Sequence, residues 1–328
     1  MRVTIDKFIT GAGRAKELTH PVFLLYGDNP FFIHEGVQAL RKLFGRLVSD
    51  DATVNLVDGA ETSPSAVLDL LRTDDFFQSR SMVIVSEADR FWKGSADPLI
   101  DYLDHPDPEA VLVLTGPRLP QSRRLADAID KAGMVVECKR VYEDKLPGWL
   151  SRRATETGVK LPAPVAEFLV ARAGTDMFRL VNELDKLALA TGGDRPVTRE
   201  DITALVPASK EFAVYQLSDA VFRGKPAESM AIASKILEQS GGPQMIVSWM
   251  SRSLRNLWLV SRNPAIGAKD IGMNPYALKK LGPHARRWDE RGYRRAMRLV
   301  LVTDRQTKSS GYNPQVAVER MVLALARG

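Results

Sequence analysis

The sequence predicts an α/β domain built on an open parallel sheet, followed by a small helical bundle and then a larger all-helical domain. Three observations predict this. Across residues 1–140 short apolar runs alternate with helix-like patterns. Several of those runs are apolar without alternation, as parallel strands covered on both faces require. From Val141 onward helical periodicity replaces the strand pattern. A length of 328 residues accommodates two or three such domains.

The expected strands are Val22–Gly27, Ala52–Val57, Ser81–Val85, Val111–Thr115 and Met134–Cys138, with helices at Phe31–Leu47, Ser65–Leu71 and Gln121–Ala132 between them. The bundle comprises Glu143–Glu156, stopped by Gly158, then Ala163–Ala173, closed by Gly174, and Asp176–Leu189, ended by Gly192-Gly193. Thr198-x-x-Asp201 reads as a capping box that opens a fourth short helix, which Pro207 ends. Longer helices follow at Ala213–Phe222, Ala227–Gln239, Gln244–Val260, Tyr293–Thr307 and Asn313–Ala326, punctuated by Pro243, Pro264, Pro275 and Pro283. The apolar cluster Leu254, Leu257, Trp258, Leu259 and Val260 predicts a helix buried from more than one side. The domain boundaries are therefore expected at 1–140, 141–208 and 209–328.

Composition narrows the function classes. Hydrophobic content of 45% and charged content of 26% are those of a soluble globular protein, and no apolar run reaches the roughly 20 residues that span a bilayer. The opening stretch lacks a continuous apolar segment, so no signal peptide is expected. The single cysteine, Cys138, precludes an internal disulfide and fits a reducing, cytoplasmic setting. The four histidines, His20, His34, His105 and His284, have no ligand spacing, and no G-x-S-x-G motif supports nucleophilic catalysis, so neither a metal nor another cofactor is expected. Charge is unevenly placed. Residues 251–328 carry 16 Lys+Arg against 5 Asp+Glu, whereas the first 250 carry 30 against 35. A basic C-terminal quarter on an acidic body points to nucleic acid at that end, or to an Arg-rich solvated helical surface.

The most informative segment is Gly27–Gly36 (GDNPFFIHEG), which follows a buried strand and leads into a helix, where a P-loop ATPase places its phosphate cradle. A working cradle needs G-x-x-x-x-G-K-[ST], with a Lys on the phosphates and a hydroxyl on Mg²⁺. Here there is neither, and Asp28 and Glu35 would repel phosphate. Downstream, Val83–Asp89 (VIVSEAD) resembles a Walker B strand end, but Ser86 replaces the metal-holding acid, while Glu87 and Asp89 remain for surface or ion-pair roles. The two losses are independent and together predict a degenerate nucleotide site at Gly27, Asp28, Ser86 and Glu87 that does not hydrolyse ATP.

Four further segments can be read individually. Phe76-Phe77 is an adjacent aromatic pair with Asp74, Asp75, Gln78, Ser79 and Arg80 around it, which places it at a loop tip. Such a pair is either an anchor for a hydrophobic pocket or one core cap with an incidental neighbour. Lys279, Lys280, Arg286 and Arg287 lie near Tyr276 and Trp288, and Arg291, Arg294, Arg295, Arg298 and Arg305 follow. Cations of this kind hold phosphates, and neighbouring aromatics stack on unpaired bases. Tyr312, in SSGYNP, either reaches DNA or anchors an interhelical turn. Asp176, Arg179, Glu183 and Lys186 have the spacing of ion pairs on one helix face.

The order and spacing of Leu24–Arg41 (LLYGDNPFFIHEGVQALR), Phe76–Phe91 (FFQSRSMVIVSEADRF), Gly174–Leu189 (GTDMFRLVNELDKLAL) and Thr303–Arg327 (TDRQTKSSGYNPQVAVERMVLALAR) resemble the delta subunit of the bacterial DNA polymerase III clamp loader over essentially the whole chain. The resemblance implies an AAA+-like N-terminal domain, a helical lid and a collar domain. It implies a non-catalytic partner of the beta sliding clamp, of the gamma/tau ATPases and delta-prime, and of primed DNA. It makes Phe76-Phe77 the clamp-binding wedge, gives Arg179 the position of an AAA+ sensor arginine, and brings Tyr312 near the primer–template junction. Two other readings stay open: a weakly active AAA+ ATPase, and a DNA-binding AAA+-like scaffold outside the clamp loader. A delta-prime-like protein often carries zinc-ligand cysteines, which a lone Cys138 does not supply.

Overall fold

Strand pairing organises the N-terminal part because its apolar runs can bury both faces only beneath helices. In the computed structural model, which describes residues 1–48, 53–72, 80–92, 96–239, 242–273, 275–286 and 288–327, the chain divides into two units, Met1–Val141 and Tyr142–Gly328. The first unit runs β1 (Arg2–Thr4), α1 (Ile5–Arg14), β2 (Val22–Tyr26), α2 (Pro30–Leu47), β3 (Thr53–Asp58), α3 (Pro64–Leu71), β4 (Ser81–Ser86), α4 (Ala88–Phe91), α5 (Asp97–Asp104), β5 (Ala110–Gly116), α6 (Arg123–Ala132) and β6 (Gly133–Glu137). The strand order is β1-β6-β2-β5-β4-β3, and every pairing is parallel.

All five anticipated strands form, each within one residue of its expected ends. On β2, Val22 and Leu24 face the cluster built with α3, α5 and α6, whereas Gly36 of α2 abuts Leu25 and the Phe8 ring of α1 lies 6.0 Å from Phe23. Four elements escaped the sequence reading. β1 is three residues long, too short for a pattern, and α1 contains Gly11 and Gly13, which imitate a loop. That helix holds because Ile5, Phe8 and Ala12 fall on one buried face. The short α4 and α5 bury Phe91, Leu99, Ile100 and Leu103 against the same sheet.

The second unit is helical throughout its described residues: α7 (Leu146–Glu156), α8 (Ala163–Ala173), α9 (Met177–Thr191), α10 (Arg199–Leu205), α11 (Lys210–Phe222), α12 (Pro226–Gln239), α13 (Pro243–Arg262), α14 (Pro275–Ala285), α15 (Glu290–Thr307) and α16 (Pro314–Arg327). Two 3₁₀ turns, Glu143–Lys145 before α7 and Lys269–Ile271 before α14, complete it among the described residues. The capping box at Thr198 is formed in both directions, and Arg195 forks onto Asp201 at 2.6 and 2.8 Å. Those bonds hold the Asp201 carboxyl well below the usual range.

α14 corrects the sequence reading, which used Pro275 and Pro283 as breaks. Pro275 begins the helix and Pro283 lies inside it. The missing N–H comes near the helix end, and burial of Ala277, Leu281, His284 and Ala285 on one side keeps the turn helical. The larger core gathers Leu217, Met250, Leu254, Leu257, Val318 and Met321 from α11, α13 and α16.

Candidate functional site

The crossovers leaving β2 and β5 run to opposite sides of the sheet, which places the topological switch of the fold at their C-terminal ends. Ligands of α/β sheets bind in that crevice, so the degenerate nucleotide residues belong to the expected location. Here the turn at that crevice is hydrogen-bonded to protein backbone. The turn after β2 is only Gly27–Asn29, because α2 begins at Pro30. The Gly27 N–H donates to the Gly116 carbonyl at 3.1 Å, and the Cys138 N–H donates to the Tyr26 carbonyl at 2.7 Å. Asp28 accepts from the Arg140 N–H at 2.9 Å, and the Asn29 amide donates to the Lys139 carbonyl at 3.4 Å. Residues 138–140 are thus stitched across the turn.

A phosphate cradle needs free amides at the helix N-terminus. Pro30 supplies none, and Phe31 and Phe32, their rings 5.7 Å apart, are buried in the first turn. Gly36, the second glycine of the expected cradle, lies inside α2. A Cβ there would meet Leu25 and Ile5, so this glycine serves helix–sheet contact rather than a loop. Gly27 has φ +150°, and a Cβ would collide with the Cys138 carbonyl. Burial pushes the Cys138 thiol up to about 12, which leaves it inert.

At the end of β4, Ser86 donates to the Val57 carbonyl at 3.3 Å. Glu87 adopts a left-handed conformation (φ 46°), the one non-glycine to do so among the described residues, and pairs with Arg90 at 2.9 Å. Asp89 lies 3.9 Å from Arg118. Among the described residues, no group of three His, Cys, Asp or Glu side chains is arranged to hold a metal ion.

The remaining sequence-predicted residues fall as follows. Phe76, Phe77 and Arg287 lie outside the described residues. Lys279, Lys280 and Arg286 are exposed on α14 and just beyond it. Their aromatic neighbours are engaged by protein: Trp288 packs edge-on against Phe222 at 5.5 Å, and Tyr276 lies between Phe168 and Tyr215 at 5.9 and 6.1 Å. Tyr312 is 56% exposed in the turn between α15 and α16. On α9, only Glu183 and Lys186 of the four charged residues pair with each other. Asp176 caps the helix through the Arg179 N–H, and the Arg179 guanidinium donates to the Pro207 carbonyl at 2.8 Å.

A second region went unread in the sequence. Facing sides of α8, α9, α11, α13 and α14 line an open pocket of about 980 Å³ within the helical unit. Trp249, Arg252, Ser253 and Asn256 recur at helical spacing along α13 and line it. Arg252, Ser253 and Asn256, polar beside the buried Met250, Leu254 and Leu257 of the same helix, were the available signal. The Ser218 and Ser253 hydroxyls lie 2.8 Å apart, and His284 Nε2 donates to Asp219 at 2.9 Å. Burial pushes the Asp219 carboxyl up, but hydrogen bonds from His284 and Arg223 outweigh it and leave its pKa lowered. Burial pushes the Tyr215 phenol far up.

Comparison with known proteins adds to this geometry. A family model described as DNA polymerase III, delta subunit, matches residues 23–139, and one described as the DNA polymerase III delta subunit, C-terminal domain, matches residues 211–325. DNA polymerase III subunit delta of Bacillus subtilis (strain 168) is 24% identical over 325 residues, covering 94% of this chain and 93% of that protein. Its counterpart in Escherichia coli (strain K12) is 19% identical over 247 residues, covering 74% and 71%. The solved Bacillus subtilis DNA clamp loader delta protein shares the fold, with a TM-score of 0.63 at 23% identity over 99% of this chain and 100% of that one.

Proposed function

We propose a function from one premise: the chain belongs to the DNA polymerase III delta-subunit family. It is a clamp-loader delta subunit that binds the beta sliding clamp and helps to open it for loading onto primed DNA, without hydrolysing ATP. The observation that carries the second half is the closed turn after β2, where Pro30 and the strap at residues 138–140 occupy the place of a phosphate cradle. The α/β unit then serves as a grip, with residues 141–208 as lid and residues 209–328 as a collar that joins the gamma/tau ATPases and delta-prime in the cytoplasm. Magnesium and ATP belong to those sister subunits.

The mechanism is mechanical. A closed clamp ring is held by its own interfaces, and a partner that favours the open form shifts the population by no more than its differential affinity for the two states. Phe76-Phe77 supplies the apolar anchor for that preference. Lys279, Lys280 and Arg286, exposed like Tyr312, offer cations and a ring to primed DNA, and Arg287 adds a further charge by sequence. Such contacts lose strength steeply with salt.

Binding of the full chain to the sliding clamp, wild type beside Phe76→Ala/Phe77→Ala, tests this. Anchor residues of a hot spot are worth about 2–4 kcal/mol, so the double variant should weaken clamp binding by roughly 30- to 1,000-fold with an unchanged circular dichroism spectrum. Clamp affinity equal in the two proteins would remove the grip from this pair, and absence of wild-type binding would remove the clamp-opening role itself.

A further inference from the structure

We propose that Arg172 and Arg179 clasp the linker between α10 and α11, so that α7–α10 and α11–α16 move as one rigid lever and the pocket between them stays open. The linker comprises residues 206–209, Val-Pro-Ala-Ser. It joins two helical groups whose facing sides leave an open pocket of about 980 Å³, with α9 on one wall and α13 and α14 on another. A short connection beside such a gap is where a hinge would absorb backbone rotation. Here its backbone is already held.

Arg172, in the last turn of α8, donates from Nε to the Val206 carbonyl at 2.7 Å and from a terminal nitrogen to the Thr203 carbonyl at 3.1 Å. Arg179, in the first turn of α9, donates to the Pro207 carbonyl at 2.8 Å. In return the Ser209 N–H donates to the Arg172 carbonyl at 2.7 Å, and the Ser209 hydroxyl accepts from the Phe212 N–H at 3.1 Å to cap α11. Thr203 and Val206 stand at the C-terminal end of α10, whose last carbonyls have no partner within the helix and carry negative partial charge. One guanidinium reaches both because its nitrogens form a planar fork, which an ammonium lacks. The Arg172 guanidinium also lies 5.7 Å over the Phe212 ring of α11, and Phe168 of α8 packs against Phe212 and Tyr276 at 5.8 and 5.9 Å. Of the two arginines Arg172 holds more, since its bond to Val206 is partly buried and that of Arg179 is exposed. The use of the lever rests on the reading of residues 209–328 as a collar: α7–α10 then follow the collar without slack when it joins its sister subunits.

Double electron–electron resonance on the full chain, spin-labelled at Asp185→Cys of α9 and Arg255→Cys of α13, reads the gap. Both positions are exposed, and Cys138 is buried and stays unlabelled. The distance distribution should be single and narrow. Arg172→Gln/Arg179→Gln should broaden it at least twofold, and amide exchange at Ser209 should quicken about tenfold, as loss of hydrogen bonds to charged groups predicts. Arg172→Lys/Arg179→Gln, which keeps a charge at position 172 and loses the fork, should broaden it equally. Arg179→Gln alone, at the exposed bond, spares the fold and should broaden it part of the way. A broad or double distribution in the wild type, or one left narrow by the Gln variants, would overturn the clasp, and recovery of the narrow form by lysine would overturn the forked contact. No clamp is present in this measurement. Failure of the chain to bind a clamp would therefore leave the lever intact and remove only its use.

Discussion

The turn after β2 and the cavity of the helical unit are opposites in how they treat polar groups. At the turn, Gly27, Asp28 and Asn29 bond to the backbone of residues 116, 140 and 139, and a glycine Cβ at position 27 has no room. In the walls of the cavity, Asn256 Oδ1 and His284 Nδ1 are buried with no partner among the described residues. The first region has the address of a ligand site in its fold, with its turn atoms bonded to protein. The second has open space at an address that no motif marks. Location in a fold and capacity to bind are therefore separate properties, and hydrogen-bond accounting tells them apart.

The sharpest way to break the contrast is Gly27→Ala. Its Cβ meets a backbone carbonyl, which cannot rotate aside as a side chain would, at a φ of +150° that favours glycine. Urea unfolding should show a loss of about 3 kcal/mol. A near-neutral result would mean that the turn can open.

Asp219 tests the satisfied part of the cavity wall. Its pKa is lowered despite burial, so its stabilisation is fully present above the ordinary carboxylate value of about 4 and is lost as pH falls through the lower folded-state value. Asp219→Asn should cost about 1.5 kcal/mol at neutral pH, as for hydrogen bonds to a charged group, and should flatten the acid limb of stability against pH. Parallel acid limbs in the two proteins would show that the pairing with His284 and Arg223 adds nothing.

Adding apolar bulk should have the opposite sign at Asn256. Asn256 Oδ1 is buried with no partner among the described residues, so replacing the amide by Leu removes a desolvation cost and stability should rise by about 1 kcal/mol. A loss instead would show that water already satisfies the amide. At the far end of the scale, phosphate release from Mg-ATP by the purified chain should stay at the level of buffer alone. Turnover that rises with enzyme concentration would reinstate an active ATPase.

Legibility varied with the range of the interactions. β2 and β5 were readable because a strand buried on both faces must be apolar throughout, and the Thr198 box because its two bonds span only three residues. α1 was not, since Gly11 and Gly13 outweighed a three-residue apolar stripe until Phe8 had Phe23 to meet. α14 was hidden by Pro283, whose local cost is offset by burial of residues distant in sequence. The missing Lys and hydroxyl of the cradle were plain in Gly27–Gly36, yet the reason for its glycines was not. Gly36 serves Leu25 and Ile5, and Gly27 serves Cys138.

By itself the sequence determined the parallel α/β sheet, the change to helices after Val141, the absence of a cradle Lys and hydroxyl from Gly27–Gly36 and the family to which the chain belongs, because each is written in local pattern or in residue type at fixed spacing. Only the tertiary structure decided that residues 138–140 are hydrogen-bonded across the turn after β2 and that Asn256 and His284, 28 positions apart, line one pocket. Both outcomes depend on which backbone and side-chain groups folding brings within hydrogen-bond reach, and that distance has no counterpart along the chain.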